Sequence, residues 1–294
     1  MRLCVVKNIE GSAAKWVDVA PARFPGWIDD FARRHGDSPE GHGDSAERHG
    51  DAAQASALAV SFSGQDVIFV APDGAVAECH PPFPPVPGLP ANAAPGACAA
   101  AIAAHALAPR TVGVLLVRLG GYAAGVFTGS PPVVLAASKT GSRLVHGRSA
   151  AGGWSQHRFA RRREKQAAEA LQAAADAAAA VFGRWAGSGG TSHSGGRTTD
   201  NSKRRPGDAR DRSGHSGGAA PAPRGGERRT GLDAVVLGGD KRAVAELRAD
   251  PRLLSYLELA TDRFLTVPDP KLAVLKDTPR MFLAVRISLR EPAT

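Results

Sequence analysis

The sequence predicts an α/β protein in two parts. Residues 1–95 read as a small α+β unit, and residues 106–294 as a mixed β-sheet with flanking helices. Three observations predict this. Strand-like and helix-like segments alternate after residue 106. Before residue 80 an amphipathic helix precedes a hairpin signal. A proline-rich stretch over 81–95 separates the two and makes the best boundary.

Taken in order, 21–35 places Phe24, Trp27, Ile28 and Phe31 at helical spacing. The next stretch, 36–54, is a polar loop rich in Gly, His and Asp. His35, His42 and His49 recur there every seven residues; repetitive loop sequence explains this more simply than a metal tract. Residues 57–62 and 66–71 are strands around Ser63-Gly64-Gln65, and 76–80 extends their sheet. An Ala-rich helix covers 97–107. Residues 111–119 form a nearly continuous apolar strand, Gly120-Gly121 a turn, and 122–128 and 133–138 two further strands. A loop over 141–153 feeds one long helix from 155 or 156 to 185, basic at its start and Ala-rich through 167–180. Residues 232–237 are a buried strand, and 240–250 a helix with Asp240 as its N-cap. A helical segment at 252–258 and strands at 264–267 and 281–289 complete the chain.

The 294 residues are 43% hydrophobic and 5% aromatic, which excludes a wholly disordered chain and predicts an aliphatic core. Cys4, Cys79 and Cys98 have no metal-ligand spacing and are too few for a disulfide scaffold. The opening residues carry no apolar signal block, and no apolar stretch reaches the ~20 residues of a membrane span. A cytoplasmic protein with reduced thiols, monomeric and without metal or other cofactor, is therefore expected.

The formal net charge is +9, and it is clustered. Lys139, Arg143, Arg148, Arg158, Arg161, Arg162, Arg163 and Lys165 face only Glu164 within their block. A second basic stretch, 187–230, is rich in Gly, Ser, Arg, Pro and Asp and almost free of apolar residues. It is expected to be a disordered insert that adds non-specific RNA affinity. Clustered positive charge on a protein without a membrane span points to a polyanion.

The informative segment is 145–166. A glycine-rich loop runs into a long helix whose first turns are crowded with basic side chains. A helix N-terminus carries partial positive charge, so cations there oppose the dipole; their placement suits an anionic ligand. Residues 158, 161, 162 and 165 fall on one helical face, positioned to meet a phosphate backbone together. Gln156 is neutral and both donates and accepts hydrogen bonds. It is no general base at neutral pH, but it suits the positioning of a water or a carbonyl.

His146-Gly147-Arg148, Gly152-Gly153, Gln156 and Arg158-Phe159-Ala160-Arg161-Arg162-Arg163 resemble, in that order, the peptidyl-tRNA hydrolysis domain of archaeal and eukaryotic class-1 release factors. The closer resemblance is to the Vms-like release-factor family of peptidyl-tRNA hydrolases, in its actinobacterial-type branch. Gly153-Trp154-Ser155-Gln156 matches that branch's Gly-x-x-Gln loop. The likeness extends to 111–128 and 232–239 and covers about 106–275. It implies an RNase H-like catalytic sheet. It also implies hydrolysis of the ester between a nascent peptide and tRNA, freeing chains from stalled ribosomes in quality control. The implied partners are peptidyl-tRNA and large-subunit ribosomal RNA.

In that reading Gln156 positions the reacting groups, and Gly152 and Gly153 give the loop its freedom. Arg158, Arg161, Arg162, Arg163 and Lys165 hold phosphates; Arg148 and His146 anchor the loop or touch RNA; Trp154 stacks on a base. Nothing in the first hundred residues resembles a stop-codon reader, which favours rescue over termination. Two alternatives stay open: an endonuclease cutting the tRNA 3′ end, and a ribosome- or RNA-binding protein without chemistry. Against metal-dependent cleavage, the strands at 111–119, 122–128 and 133–138 contain no Asp or Glu.

Overall fold

The computed structural model describes residues 4–5, 14–36, 58–89, 93–118, 121–142, 155–187 and 230–292. The polar loop, the basic insert and Cys4's surroundings fall largely or wholly outside them.

The first sheet is built from β1 (Cys4–Val5), β2 (Lys15–Val19), β3 (Ala59–Ser63), β4 (Asp66–Val70) and β5 (Val76–His80), with α1 (Phe24–His35) and α2 (Pro95–Leu107). In α1, Phe24, Ile28 and Phe31 recur at i, i+4 and i+7, and all three are buried. In the strands the period is two: Val67, Phe69, Ala77 and Cys79 turn to the helices, while Asp66, Ile68, Glu78 and His80 turn away. Cys98, Ala99 and Ile102 of α2 join the same apolar cluster.

The second sheet holds β6 (Arg110–Arg118), β7 (Gly121–Gly129), β8 (Val134–Ser142), β9 (Ala234–Gly239) and β10 (Ala260–Leu265), in the order β10-β9-β6-β7-β8. β10, β9 and β6 pair in parallel, and β7 is antiparallel to both β6 and β8. One face packs on α3 (Ser155–Gly187), α4 (Lys241–Leu247) and α5 (Leu254–Leu257), burying Leu115, Val117, Val235 and Leu237 among Ala174, Ala178 and Phe182. The other buries Val114, Leu116 and Val236 beneath α6 (Leu272–Asp277) and α7 (Pro279–Phe282). The fold is thus α+β, with mixed and antiparallel sheets flanked by helices.

Several expectations need correction. The last strand, β11 (Val285–Arg290), was expected to end the second sheet; it pairs antiparallel with β2 and β5 in the first. The unit expected over 106–294 therefore returns its last strand to the N-terminal sheet, giving the order β1-β2-β11-β5-β4-β3. The reason is a face match: Val285, Ile287 and Leu289 are buried with the α1–α2 cluster. α2 likewise serves the first sheet. The segment at 252–258 is helical only over Leu254–Leu257. The strand placed at 264–267 begins at Ala260 and ends at Leu265. Residues 281–284 belong to α7 and a bend, since Phe282 is buried against Phe127 rather than paired in a ladder. β2 and α6 were not anticipated.

Candidate active site at the start of α3

The candidate segment follows a strand that ends at one edge of the second sheet. β6 ends at Arg118 and β9 at Gly239, and β8, which runs in their direction, ends at Ser142 opposite Gly121. The chain leaves β8 there and re-enters as α3 at Ser155. The glycine-rich segment therefore connects the carboxyl edge of this sheet to a helix start. This is where open sheets of this kind gather their functional loops.

The edge is tightly built. Gly239 has φ of 101°, and a Cβ there would run into the Val117 carbonyl. Asp240 N donates to that same carbonyl at 2.7 Å, and the Asp240 side chain accepts from Arg242 N at 2.8 Å as the N-cap of α4, as expected. At the opposite end of the ladder, Asp233 accepts from Thr111 N at 2.7 Å and donates its own N–H to Thr111 O at 2.8 Å, fixing the register of β9 on β6.

α3 has 33 residues, about 50 Å of helix, while the nine-residue strands beneath it span about 30 Å. From Lys165 onward, where its side chains are described, the buried residues begin at Ala174. Lys165, Glu169, Gln172 and Asp176 are exposed and lie on one line along the helix. The same helical phase carries that line back through positions 161, 162 and 158. A second line, through Leu171, Ala174 and Ala178, is the packed one, and its phase leads back through positions 167, 163, 160 and 156. The helical backbone thus unites Arg158, Arg161, Arg162 and Lys165 on the outward line. It sets Arg163 and Gln156 on the other.

The predicted site residues divide accordingly. Gln156, Arg158, Arg161, Arg162 and Arg163 stand in the first turns of α3, and Lys165 is exposed just beyond them. His146, Arg148, Gly152, Gly153 and Trp154 lie outside the described residues.

The packed half of α3 is pinned by a charged cluster. Arg252 Nη1 donates to Asp176 at 2.8 Å and Nη2 to Asp250 at 2.7 Å; Gln172 also donates to Asp176, at 3.0 Å. The Arg252 hydrogen bonds hold both carboxyls below their usual range. Trp185, near the helix end, donates to Gly231 O at 3.0 Å and ties α3 to the approach to β9.

Elsewhere, Asp66, Glu78 and His80 bring ligand-type atoms within 4.8 Å of one another. The Asp66 carboxylate lies 2.8 Å from His80 Nδ1, and Glu78 faces Arg290 at 3.7 Å, so both carboxylates already have protein neighbours. His35, first of the spaced histidines, is bonded to Asp73 at 2.7 Å. Cys79 and Cys98 are buried, and burial pushes both thiols up, Cys79 far up with Asp66 and Glu78 adding to it; neither is a poised nucleophile. Among the described residues no helix is long and apolar enough to cross a membrane.

One group escaped the sequence reading: Trp16, His80, Thr261, Arg263 and Arg286 line a cleft between the sheets. No local motif marks them, because β11 brings them together across the whole chain. The only trace is polar residues alternating with apolar ones in Val285–Arg290.

Comparison with known families supplies the class: a model of release factors matches residues 110–288, more than half of the chain. The chain belongs to the Actinobacteria/chloroflexi VLRF1 release factor family. The match starts with β6, spans the whole second sheet and runs into β11. No curated protein matches the chain. Membership of this family makes the protein a translation factor and implies interaction with ribosome and tRNA.

Proposed function

We propose that this release factor hydrolyses the ester that joins a nascent peptide to the terminal ribose of tRNA. It thereby frees chains from stalled ribosomal complexes in the cytoplasm, as part of ribosome-associated quality control. The observation that carries the reading is the Gly152-Gly153-Trp154-Ser155-Gln156 sequence, whose last two residues open α3 in the connection that follows β8 of the family-matched sheet.

The ester is activated, so placing a water against the carbonyl carbon supplies much of the needed acceleration. The Gln156 amide offers an oxygen to accept from the water and an N–H to meet the developing oxyanion. As the water oxygen bonds to the carbonyl carbon it gives up a proton to solvent; the tetrahedral intermediate then expels the ribose oxygen, which takes up a proton from solvent. The glycines let the loop backbone approach the crowded ester. Arg158, Arg161, Arg162 and Lys165 hold tRNA or ribosomal RNA phosphates, which positions the substrate without reading sequence. Asp262 is the one carboxylate on the five strands of the second sheet, and it is exposed. That favours ester hydrolysis over two-metal cleavage of the tRNA 3′ end, which needs converging carboxylates.

The test uses ribosome-bound peptidyl-tRNA labelled on both peptide and tRNA. Wild type should release peptide and leave tRNA full length. Gln156→Ala should bind equally and lose about 10²–10³ in rate, the usual cost of one oxyanion-type donor. Shortened tRNA would assign the protein to the nucleases; equal release by both proteins would take Gln156 out of the mechanism.

A further inference from the structure

Between the two sheets lies a cleft of about 670 Å³, within the range of about 300–1,000 Å³ typical of small-ligand sites. One wall is the face of the first sheet turned away from α1 and α2. The other is β10 with the start of α4.

Three buried side-chain polar atoms among the described residues have no hydrogen-bond partner: His80 Nε2, Thr261 Oγ1 and Arg286 Nε. All three residues line this cleft. Such atoms are costly to leave unmatched, about 1–3 kcal/mol each, so their convergence marks a place where something else completes them.

Their chemistry defines that something. His80 Nδ1 lies 2.8 Å from the Asp66 carboxylate, which leaves Nε2 as the ring nitrogen open to a further partner. Arg286 Nε is a donor; Asp18 lies 4.0 Å away, too far for a hydrogen bond. Thr261 Oγ1 does either. An imidazole nitrogen, a guanidinium N–H donor and a hydroxyl match the mixed donor and acceptor edge of a nitrogen heterocycle. Aromatic surface stands beside them. Trp16 lies 5.3 Å from the His80 ring with the Arg286 guanidinium 4.9 Å over it, and the Lys241 ammonium sits 5.8 Å from the Phe264 ring. Lys241 is exposed at the start of α4, available to an anion.

We propose that this cleft binds a nucleotide, with its base on the Trp16 side against His80, Thr261 and Arg286 and its phosphate at Lys241. The ligand is an unpaired RNA nucleotide or a free mononucleotide. The site is remote in sequence from Gln156 and independent of the hydrolysis reading.

Saturation-transfer NMR on the full chain tests it, with AMP, CMP and a short single-stranded RNA as probes and inorganic phosphate as competitor. Thr261→Val removes one hydroxyl at constant shape, and Arg286→Lys removes the Nε donor but keeps the charge. Each should weaken mononucleotide binding about five- to tenfold, and Gln156→Ala should leave it unchanged. RNA that binds tighter than AMP, with the same loss in both variants, identifies an RNA nucleotide as the ligand. Mononucleotide binding with RNA insensitive to both variants identifies a free nucleotide. No transfer to AMP or CMP, transfer equal in wild type and both variants, or full displacement by phosphate alone would overturn the proposal.

Discussion

Arg263 on β10 donates through Nη2 to the carbonyl of His80 on β5 at 3.2 Å, and so joins the two sheets. Its Nη1 also donates to the carbonyls of Met281, at 3.1 Å, and Ala284. One side chain thus closes the end of β5 and the α7–β11 connection at once. Burial pushes its pKa down to about 10, still far enough above neutrality to keep the guanidinium charged. Arg263→Met should lower unfolding free energy by about 2–4 kcal/mol, because it leaves buried carbonyls unpaired. Urea denaturation reads this directly. An unchanged midpoint would mean that water satisfies those carbonyls and that the clamp is dispensable.

Gly239 and Gly129 provide a matched pair. Both have positive φ, 101° and 93°, but a Cβ at Gly129 meets nothing within 4 Å, while at Gly239 it meets the Val117 backbone. Gly129→Ala should therefore cost about 1 kcal/mol, the backbone strain alone. Gly239→Ala should cost clearly more, since β9 must move off β6. Parallel thermal melts decide it, and equal melting temperatures would show that the β9 end is free to shift.

The legible parts of the fold were those with a local period. The core face of α1 follows from Phe24, Ile28 and Phe31, and the β3–β4 hairpin from two apolar runs around Gly64. β5 was legible to the residue, and β6 and β7 to within one at either end. What was hidden is non-local. Val285, Ile287 and Leu289 announce a strand but not its partners, and only pairing with Val17 and Cys79 settles the sheet. β2 is five residues with a Trp and an Asp on its open face, too short for its alternation to stand out. The candidate site divides the same way. The motif at 146–165 is contiguous and readable, whereas His80, Thr261 and Arg286 share a cleft only after three distant strands assemble.

The Asp73 carboxylate should make stability acid-sensitive in a defined direction. Burial works to raise its pKa, but the Ala75 N–H at 2.9 Å and the His35 side chain at 2.7 Å outweigh it and hold the carboxyl below its ordinary 3.8. A carboxyl depressed in the folded state stabilises above its unfolded pKa and loses that contribution as pH falls through the lower folded value. Wild type should therefore exceed Asp73→Ala in stability at neutral pH. The gap should narrow as pH drops below about 4. Denaturant titrations across that window measure it; a gap constant with pH would mean that the carboxylate charge is not what matters.

The two lines on α3 separate the basic residues into unequal groups. Helical phase puts Arg158, Arg161, Arg162 and Lys165 on the outward line that continues through exposed Glu169, Gln172 and Asp176, and Arg163 on the packed line. If the outward line tracks a phosphate backbone, each Arg→Gln or Lys→Gln change on it should weaken RNA binding regardless of sequence. Each should also flatten the slope of log K against log salt by about 0.7 for every phosphate no longer neutralised. Arg163→Gln should change that slope less than any of the four. The helix itself should be unaffected, because Gln propagates helix about as well as Arg or Lys, so far-UV circular dichroism serves as the control. A slope that falls equally for all five would mean that the charges act as a diffuse cloud rather than as a stripe with a side.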